Sequence, residues 1–281
     1  MNGVLVLIAA MAVGAGEIKV HEPTGRVTLS AGADDATMKQ IPGEARILFM
    51  LSATNVSGEG LKELARLQDL SFFRLNRTAH GDAALEALVD HRKLRKLMMW
   101  SDTGITSDGV KHLATVKSLE SLDFTDVPLD AEALKAFPTQ VESLTLQGCQ
   151  VGDKGLAMLP HFPRLKGLKI KDDDQVTEAG LIAFVNRHPQ LEWLAVDVTS
   201  DRFLTSLTKL PNLKSLWLSG EPISSKGVKS IGHLQKLDRL TLSFEINEEL
   251  KARIQKLPNE KLNHVSHQGR YIYLDRRAGL R

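Results

Sequence analysis

The chain has 281 residues, 42% apolar and 25% charged, with 36 Lys and Arg against 34 Asp and Glu for a net charge of +2. That near-balance excludes the basic surplus a dedicated nucleic-acid binder uses to displace phosphate counterions, and the apolar share excludes a disordered chain. One cysteine excludes an intramolecular disulfide framework and a cysteine-based zinc site, and the length suits two ordinary domains or one long repeat array.

Residues 2–16 carry no charged side chain, and Val4 to Ala15 is almost entirely apolar or small. A bilayer crossing takes about 20 apolar residues, so this run is too short to span. It has the length of a signal-peptide core, and Val13-Gly14-Ala15 offers a small-x-small cleavage site, although Met1-Asn2-Gly3 supplies no Lys or Arg. A signal peptide over 1–16, giving an exported periplasmic, cell-surface or secreted protein, is one reading. A buried first strand in a cytoplasmic protein, or a mis-set start codon, is the other. On the export reading, intact mass of protein from the native host shows a chain beginning at Gly16 or Glu17. No later segment is long and apolar enough for membrane insertion.

Val27-Thr-Leu29 looks like a degenerate first unit, which places an N-terminal cap and that unit in 17–44. From 45 to 262 the sequence repeats itself. Leu144-Thr-Leu-Gln-Gly-Cys149-Gln-Val151-Gly-Asp-Lys-Gly155-Leu156 parallels Phe49-Met-Leu51-Ser-Ala-Thr54-Asn-Val56-Ser-Gly-Glu-Gly60-Leu61 and Leu216-Trp-Leu218-Ser-Gly-Glu-Pro-Ile223-Ser-Ser-Lys-Gly227-Val228. The first inward apolar residue of each unit is expected at Phe49, Phe73, Leu97, Leu122, Leu144, Leu168, Leu194, Leu216 and Leu240, in steps of 22 to 26 residues. Leu262 opens a closing strand, and 263–281 forms a C-terminal cap or tail.

Leu-x-Leu alternation predicts a strand with one buried face, and the apolar residues after each turn fall at helical spacing. Strand, helix and strand with short connections give a parallel ladder with right-handed crossovers. Ser57, Thr106, Thr177 and Ser224 precede the helices and suit N-capping. Gly60, Gly109, Gly155, Gly180 and Gly227 recur at one helix position, where we expect a close approach of helix to strand. Gly155→Leu should then overpack that contact.

On these residues the chain resembles the leucine-rich repeat family, in particular its cysteine-containing, ribonuclease-inhibitor-like branch. The units Thr106-Ser-Asp-Gly109-Val110, Gly152-Asp-Lys-Gly155-Leu156 and Thr177-Glu-Ala-Gly180-Leu181 carry the likeness, which covers about 27–262. His80 replaces the apolar anchor of Val56, and the unit from Asp197 to Leu207 is shortened. The resemblance implies an α/β class fold: a right-handed solenoid or horseshoe, with a parallel sheet on the concave face and helices on the convex face. It also implies a protein-binding scaffold.

His91, His161, His188 and His233 share one repeat position at the end of the outer helix, where a ring can meet terminal carbonyls. A metal ladder there would need closer spacing. Asp172-Asp173-Asp174 reads as a solvated turn without the loop of a calcium site. Cys149 stands at the family's Asn/Cys/Thr slot, with Thr54, Thr78 and Thr199 in other units, as a small buried residue. No phosphate loop, nucleophile elbow, metalloprotease motif or dinucleotide fingerprint occurs. We therefore expect no catalytic residues, no metal and no cofactor.

The outward strand positions remain. Read in rows, they include Met50, Arg74, Met98, Asp123, Lys169, Ala195 and Trp217, then Ser52, Asn76, Trp100, Lys171, Asp197 and Ser219, then Leu48, Phe72, Lys96, Trp193 and Arg239. All three tryptophans of the chain fall here. Interfaces concentrate their energy in such anchors. The expectation is that Trp193 and Trp217 sit as diagonal neighbours on adjacent strands and form a protein-binding anchor, with Lys169, Lys171 and Asp197 as its polar rim and Trp100 on the same face. The alternative function is that of an exported surface protein that binds glycans.

Overall fold

The computed structural model describes residues 18–21, 24–52, 55–259 and 261–272. The stretch read as a signal peptide and Thr54 lie outside the described residues. By its internal contacts the chain divides into two units. The first runs to Val141 and takes in Thr145–Gln150 and Met158–Pro160. The second holds Glu142–Leu144, Val151–Ala157 and the chain from His161 onward.

The first unit opens with an antiparallel hairpin, β1 (Ile18–His21) and β2 (Arg26–Leu29). Strands and short helices then alternate: α1 (Asp35–Lys39), β3 (Ile47–Leu51), α2 (Gly58–Leu61), β4 (Phe72–Asn76), α3 (Gly81–Ala87), β5 (Lys96–Trp100), α4 (Ser107–His112), β6 (Ser121–Thr125) and α5 (Ala131–Lys135). β2 to β6 pair in chain order, all parallel. β7 (Ser143–Gln147) and α6 (Gly152–Met158) contribute residues to both units. The second unit continues with β8 (Gly167–Lys171), α7 (Glu178–Arg187), β9 (Trp193–Val196), α8 (Asp201–Ser206), β10 (Ser215–Leu218), α9 (Ser225–Gly232), β11 (Arg239–Leu242), α10 (Glu248–Gln255), β12 (His264–His267) and β13 (Arg270–Tyr271). β8 to β12 are parallel in chain order, and β13 returns antiparallel to β12. Among the described residues no helix is long and apolar enough to cross a membrane.

Alternation in the strands sets the core. Phe73 and Leu75, Leu97 and Met99, and Leu122 and Phe124 are fully buried, and Leu85, Val110 and Leu113 close the other side from the helices. Each such side chain contributes about 1.5–3 kcal/mol on burial. The strand β3 departs from expectation by one residue. Leu48 and Met50 are fully buried, whereas Ile47, Phe49 and Leu51 face outward and are half-buried. The pairing Leu48↔Phe73 and Phe49↔Arg74 puts the inward phase one position before the expected Phe49 and Leu51. A one-residue slip exchanges the two faces of a strand.

Ser57, Thr106, Thr177 and Ser224 cap α2, α4, α7 and α9, each side chain accepting from a backbone N–H of the first turn. Three of the five recurring glycines, Gly60, Gly109 and Gly180, do something other than bring a helix close to its strand, while a Cβ on Gly227 would meet Leu204 Cδ1 at 2.6 Å. Asp153, in the first turn of α6, accepts from Thr177 N at 2.8 Å and from Thr177 Oγ1 at 2.6 Å. Asp82 holds Thr106 at the same two distances, 2.8 and 2.6 Å, and Asp35 holds Ser57 likewise at 2.8 and 2.6 Å. A Cβ on Gly180, Gly109 or Gly60 would stand 2.0, 2.0 or 2.1 Å from Oδ1 of that same carboxylate. The small residue therefore leaves room for a carboxylate that ties one helix start to the next. Gly155 is buried in α6, and its expected role as a helix–strand spacer does not extend to these sister positions.

Candidate functional site

The outward strand face carries two tryptophan-centred clusters, one in each unit. In the first unit the pairings set out a grid. β3 supplies Ile47, Phe49 and Leu51, β4 supplies Phe72, Arg74 and Asn76, and β5 supplies Lys96, Met98 and Trp100. β6 adds Ser121, Asp123 and Thr125. All twelve are half-buried. The Arg74 guanidinium lies 3.7 Å from the centroid of the Trp100 ring. Trp100 Nε1 donates to Asp123 Oδ1 at 3.1 Å, and Thr125 Oγ1 donates to the same oxygen at 2.9 Å. Lys96 Nζ sits 5.0 Å over the Phe72 ring, which meets Phe49 edge-on at 5.0 Å.

In the second unit Trp217 is 39% exposed, the large hydrophobic residue left most open to solvent among the described residues. Its Nε1 donates to Ser243 Oγ at 2.7 Å. Lys171 Nζ lies 4.7 Å and Lys169 Nζ 5.8 Å from its ring centroid, both within cation–π reach. Ala195, paired with Trp217 on β9 and buried, is too short to separate the ring from those lysines on β8. Lys171 also meets Asp197 at 3.6 Å, and Asp197 accepts from Ser219. The expected rim of Lys169, Lys171 and Asp197 is thus gathered around Trp217.

Trp193 is placed differently from expectation. It occupies the diagonal position beside Trp217, because Ser215 pairs with Trp193 and Trp217 with Ala195. Its ring, however, turns to β8. A Cβ on Gly167 would fall 1.7 Å from Trp193 Cε2, so the indole lies flat over that glycine, away from β10. Trp193 covers the sheet, and Trp217 stands out from it.

The other candidates resolve into structure. Cys149 is buried, and its thiol donates to the Phe124 and Gln147 carbonyls at 3.3 Å each. His188 is buried, stacked 4.2 Å from Phe184, with Nδ1 on the Phe184 carbonyl at 2.9 Å and Nε2 accepting from Phe162 N at 3.3 Å. Burial pushes its pKa down to about 4, so the ring is neutral. His161 stacks on it at 5.2 Å, His233 reaches the Lys229 carbonyl at 2.8 Å, and His91 reaches the Leu64 carbonyl at 3.1 Å. Asp173 is not merely solvated: it accepts from Val151 N and Gly152 N, while Asp172 N donates to Asp197 Oδ2 at 2.6 Å. Among the described residues no group of three or more His, Cys, Asp or Glu is placed to hold a metal ion.

Sequence reasoning passed over Asp102. It follows Leu97 by the same offset at which Cys149 follows Leu144, so the Asn/Cys/Thr slot of that unit holds a carboxylate. Asp102 is fully buried. Its Oδ1 accepts from Thr78 N at 2.7 Å, and its Oδ2 has no partner. Burial pushes its pKa up to about 7, against the pull of the Thr78 and Trp100 backbone N–H groups.

A family model described as Leucine Rich repeat matches residues 139–159. No curated protein matches the sequence significantly. Among solved structures, a chain in the crystal structure of the Rad7 and Elc1 complex in yeast has a TM-score of 0.54 and 16% identity, over 87% of this chain and 80% of that one. An internalin (inlF) from Listeria monocytogenes has a TM-score of 0.43 and 16% identity, over 88% of this chain and 86% of that one. The TLR13–ssRNA13 complex has a TM-score of 0.39 and 18% identity, over 80% of this chain and 39% of that one. The repeat match, the parallel strand–helix order and the Rad7-complex likeness show one fold, the α/β leucine-rich repeat solenoid.

Proposed function

We propose that the chain is a non-enzymatic protein-binding scaffold whose partner docks on the outward strand face, with Trp217 as an anchor. The observation that carries this is the 39% exposure of Trp217 within a frame of Lys169, Lys171 and Ser243. An indole left in water on an open sheet gains most when a partner covers it, and the flanking ammonium groups orient what does so. The repeat fold supports the reading because its parallel strands present rows of side chains on one face. Fold by itself does not name the partner.

The test contrasts the two neighbouring tryptophans. Trp217→Ala should cost no more than about 1 kcal/mol in urea denaturation and weaken capture of a stoichiometric native-host protein by at least about tenfold. Trp193→Ala should instead cost roughly 1–2 kcal/mol of stability, because Gly167 offers nothing to fill the space beneath the lost ring. Undiminished capture by folded Trp217→Ala would remove the anchor. Glycan-array binding without a protein partner would replace the scaffold reading, as would turnover on a panel of hydrolase substrates.

A further inference from the structure

Among the described residues Arg74 and Lys96, on the outward face of the first unit, rest on aromatic rings and make no ion pair. Arg74 is the centre of the nine-residue grid on β3, β4 and β5, and six of its eight neighbours are apolar: Ile47, Phe49, Leu51, Phe72, Met98 and Trp100. Its guanidinium rests on Trp100, and its Nε is buried with no hydrogen-bond partner. Lys96, a diagonal neighbour, rests on Phe72 in the same way. Asp123 is the nearby carboxylate, and its Oδ1 is already occupied by Trp100 and Thr125. In the second unit Lys171, which also lies over an aromatic ring, meets a carboxylate, Asp197.

Aromatic rings hold these cations without neutralising them. A partner that buried the apolar ring would strip the remaining water from Arg74, and an unpaired buried charge is strongly unfavourable. An apolar surface alone therefore does not fit this face. A surface that brings a carboxylate to the centre of its apolar contacts does, because a carboxylate and a guanidinium make short, charge-assisted hydrogen bonds. The surrounding apolar residues would then exclude water from the pair, the arrangement that concentrates binding energy at the middle of an interface.

We infer that the Arg74 face of the first unit is a binding site for an acidic apolar peptide segment of a partner protein, in which one Asp or Glu, flanked by aliphatic or aromatic side chains, docks on Arg74 with Lys96 beside it. The inference rests on the scaffold reading and adds the chemistry of the ligand at a second place on the chain. Strands stand about 4.8 Å apart, so the apolar contacts extend roughly 5 Å to either side of the carboxylate.

The experiment is a display selection of random dodecapeptides on the full chain, carried out in parallel on wild type, Arg74→Gln, Arg74→Lys and Trp217→Ala. Circular dichroism melts establish that each variant is folded. Wild type should enrich peptides with a single acidic residue between apolar ones. Synthetic versions with Glu replaced by Gln should bind wild type at least about tenfold more weakly, and bind Arg74→Gln with a change under about twofold. Arg74→Lys should retain part of the discrimination, since it keeps the charge and loses the planar fork. Enrichment of peptides without an acidic residue, or an equal loss on wild type and Arg74→Gln, overturns the site. So does the recovery of no peptide. Arg74-dependent binding of a uridylate oligonucleotide in place of peptide overturns it in favour of a nucleic-acid ligand. Peptides that are lost with Trp217→Ala and indifferent to Arg74→Gln leave the scaffold reading standing and remove this site alone.

Discussion

Gly180→Ala is expected to destabilise the chain by about 2 kcal/mol, although alanine is the better helix former by about 1 kcal/mol. The new Cβ would stand 2.0 Å from Asp153 Oδ1 and 2.5 Å from its Cγ. Real Cβ atoms do not come so close, so the carboxylate must swing away. It then loses its hydrogen bonds to Thr177 N and Thr177 Oγ1. Hydrogen bonds to a charged group contribute about 1.5–3 kcal/mol each when sheltered, and partial exposure of this pair places the sum at the lower end. The effect should vanish in an Asp153→Ala background, where the remaining Cβ lies 3.2 Å from the new methyl and can yield. There Gly180→Ala should be neutral or stabilising by up to about 1 kcal/mol. Urea denaturation of the two single variants and the double variant closes the cycle. Equal losses in both backgrounds would show that the glycine serves a helix–strand contact after all.

That cycle also marks what could be read from the residues. The strand–helix period was legible because Leu-x-Leu alternation and the Gly-Leu helix starts recur in register, and the caps followed from Ser and Thr at one offset. The glycine was visible as a recurrence. Its reason was not, because the neighbour it accommodates lies one repeat earlier and is recognisable only from side-chain direction.

The site was legible in proportion to how well each strand declared its phase. On β8 and β11 polar and apolar residues alternate and fix the phase of the strands between them, and the cluster of Trp217, Lys169, Lys171 and Asp197 emerged by row. On β3 all five residues are apolar, so Ile47-Leu-Phe-Met-Leu51 has no contrast to set its phase. Spacing alone puts Phe49 in the core and Met50 on the surface, which hides the apolar ring around Arg74. Trp193 shows a different limit. Its position was correct, but the direction of its ring depended on Gly167 leaving space on the next strand, which no row reading weighs.

Asp102→Asn should stabilise the chain at neutral pH and destabilise it by about 1–3 kcal/mol near pH 4. An ordinary aspartate ionises near 3.8, and the buried one is pushed up to about 7. Below about pH 4 both folded and unfolded states hold the proton, and the carboxyl makes no pH-dependent contribution. Between 4 and 7 the unfolded chain releases the proton while the native one keeps it, so stability falls as pH rises. Above 7 the penalty is constant, on the order of 4 kcal/mol from the shift alone. Asparagine abolishes that term and keeps an oxygen for the Thr78 N–H, while its amide nitrogen takes the place of the partnerless Oδ2 and brings an unsatisfied donor costing about 1–3 kcal/mol. The net gain at pH 8 should be about 1–3 kcal/mol. His188 works in the opposite sense. Its folded pKa is depressed to about 4 from 6.5, so its contribution is present above 6.5 and lost as pH falls toward 4. The two terms offset one another in the wild type and flatten its profile between pH 4 and 7. Removing Asp102 unmasks the histidine, and urea midpoints of Asp102→Asn should climb steadily from pH 4 to 6.5 and then level. A variant whose midpoints track the wild type at every pH would mean that Asp102 is ionised throughout and that its second oxygen finds a partner in solution.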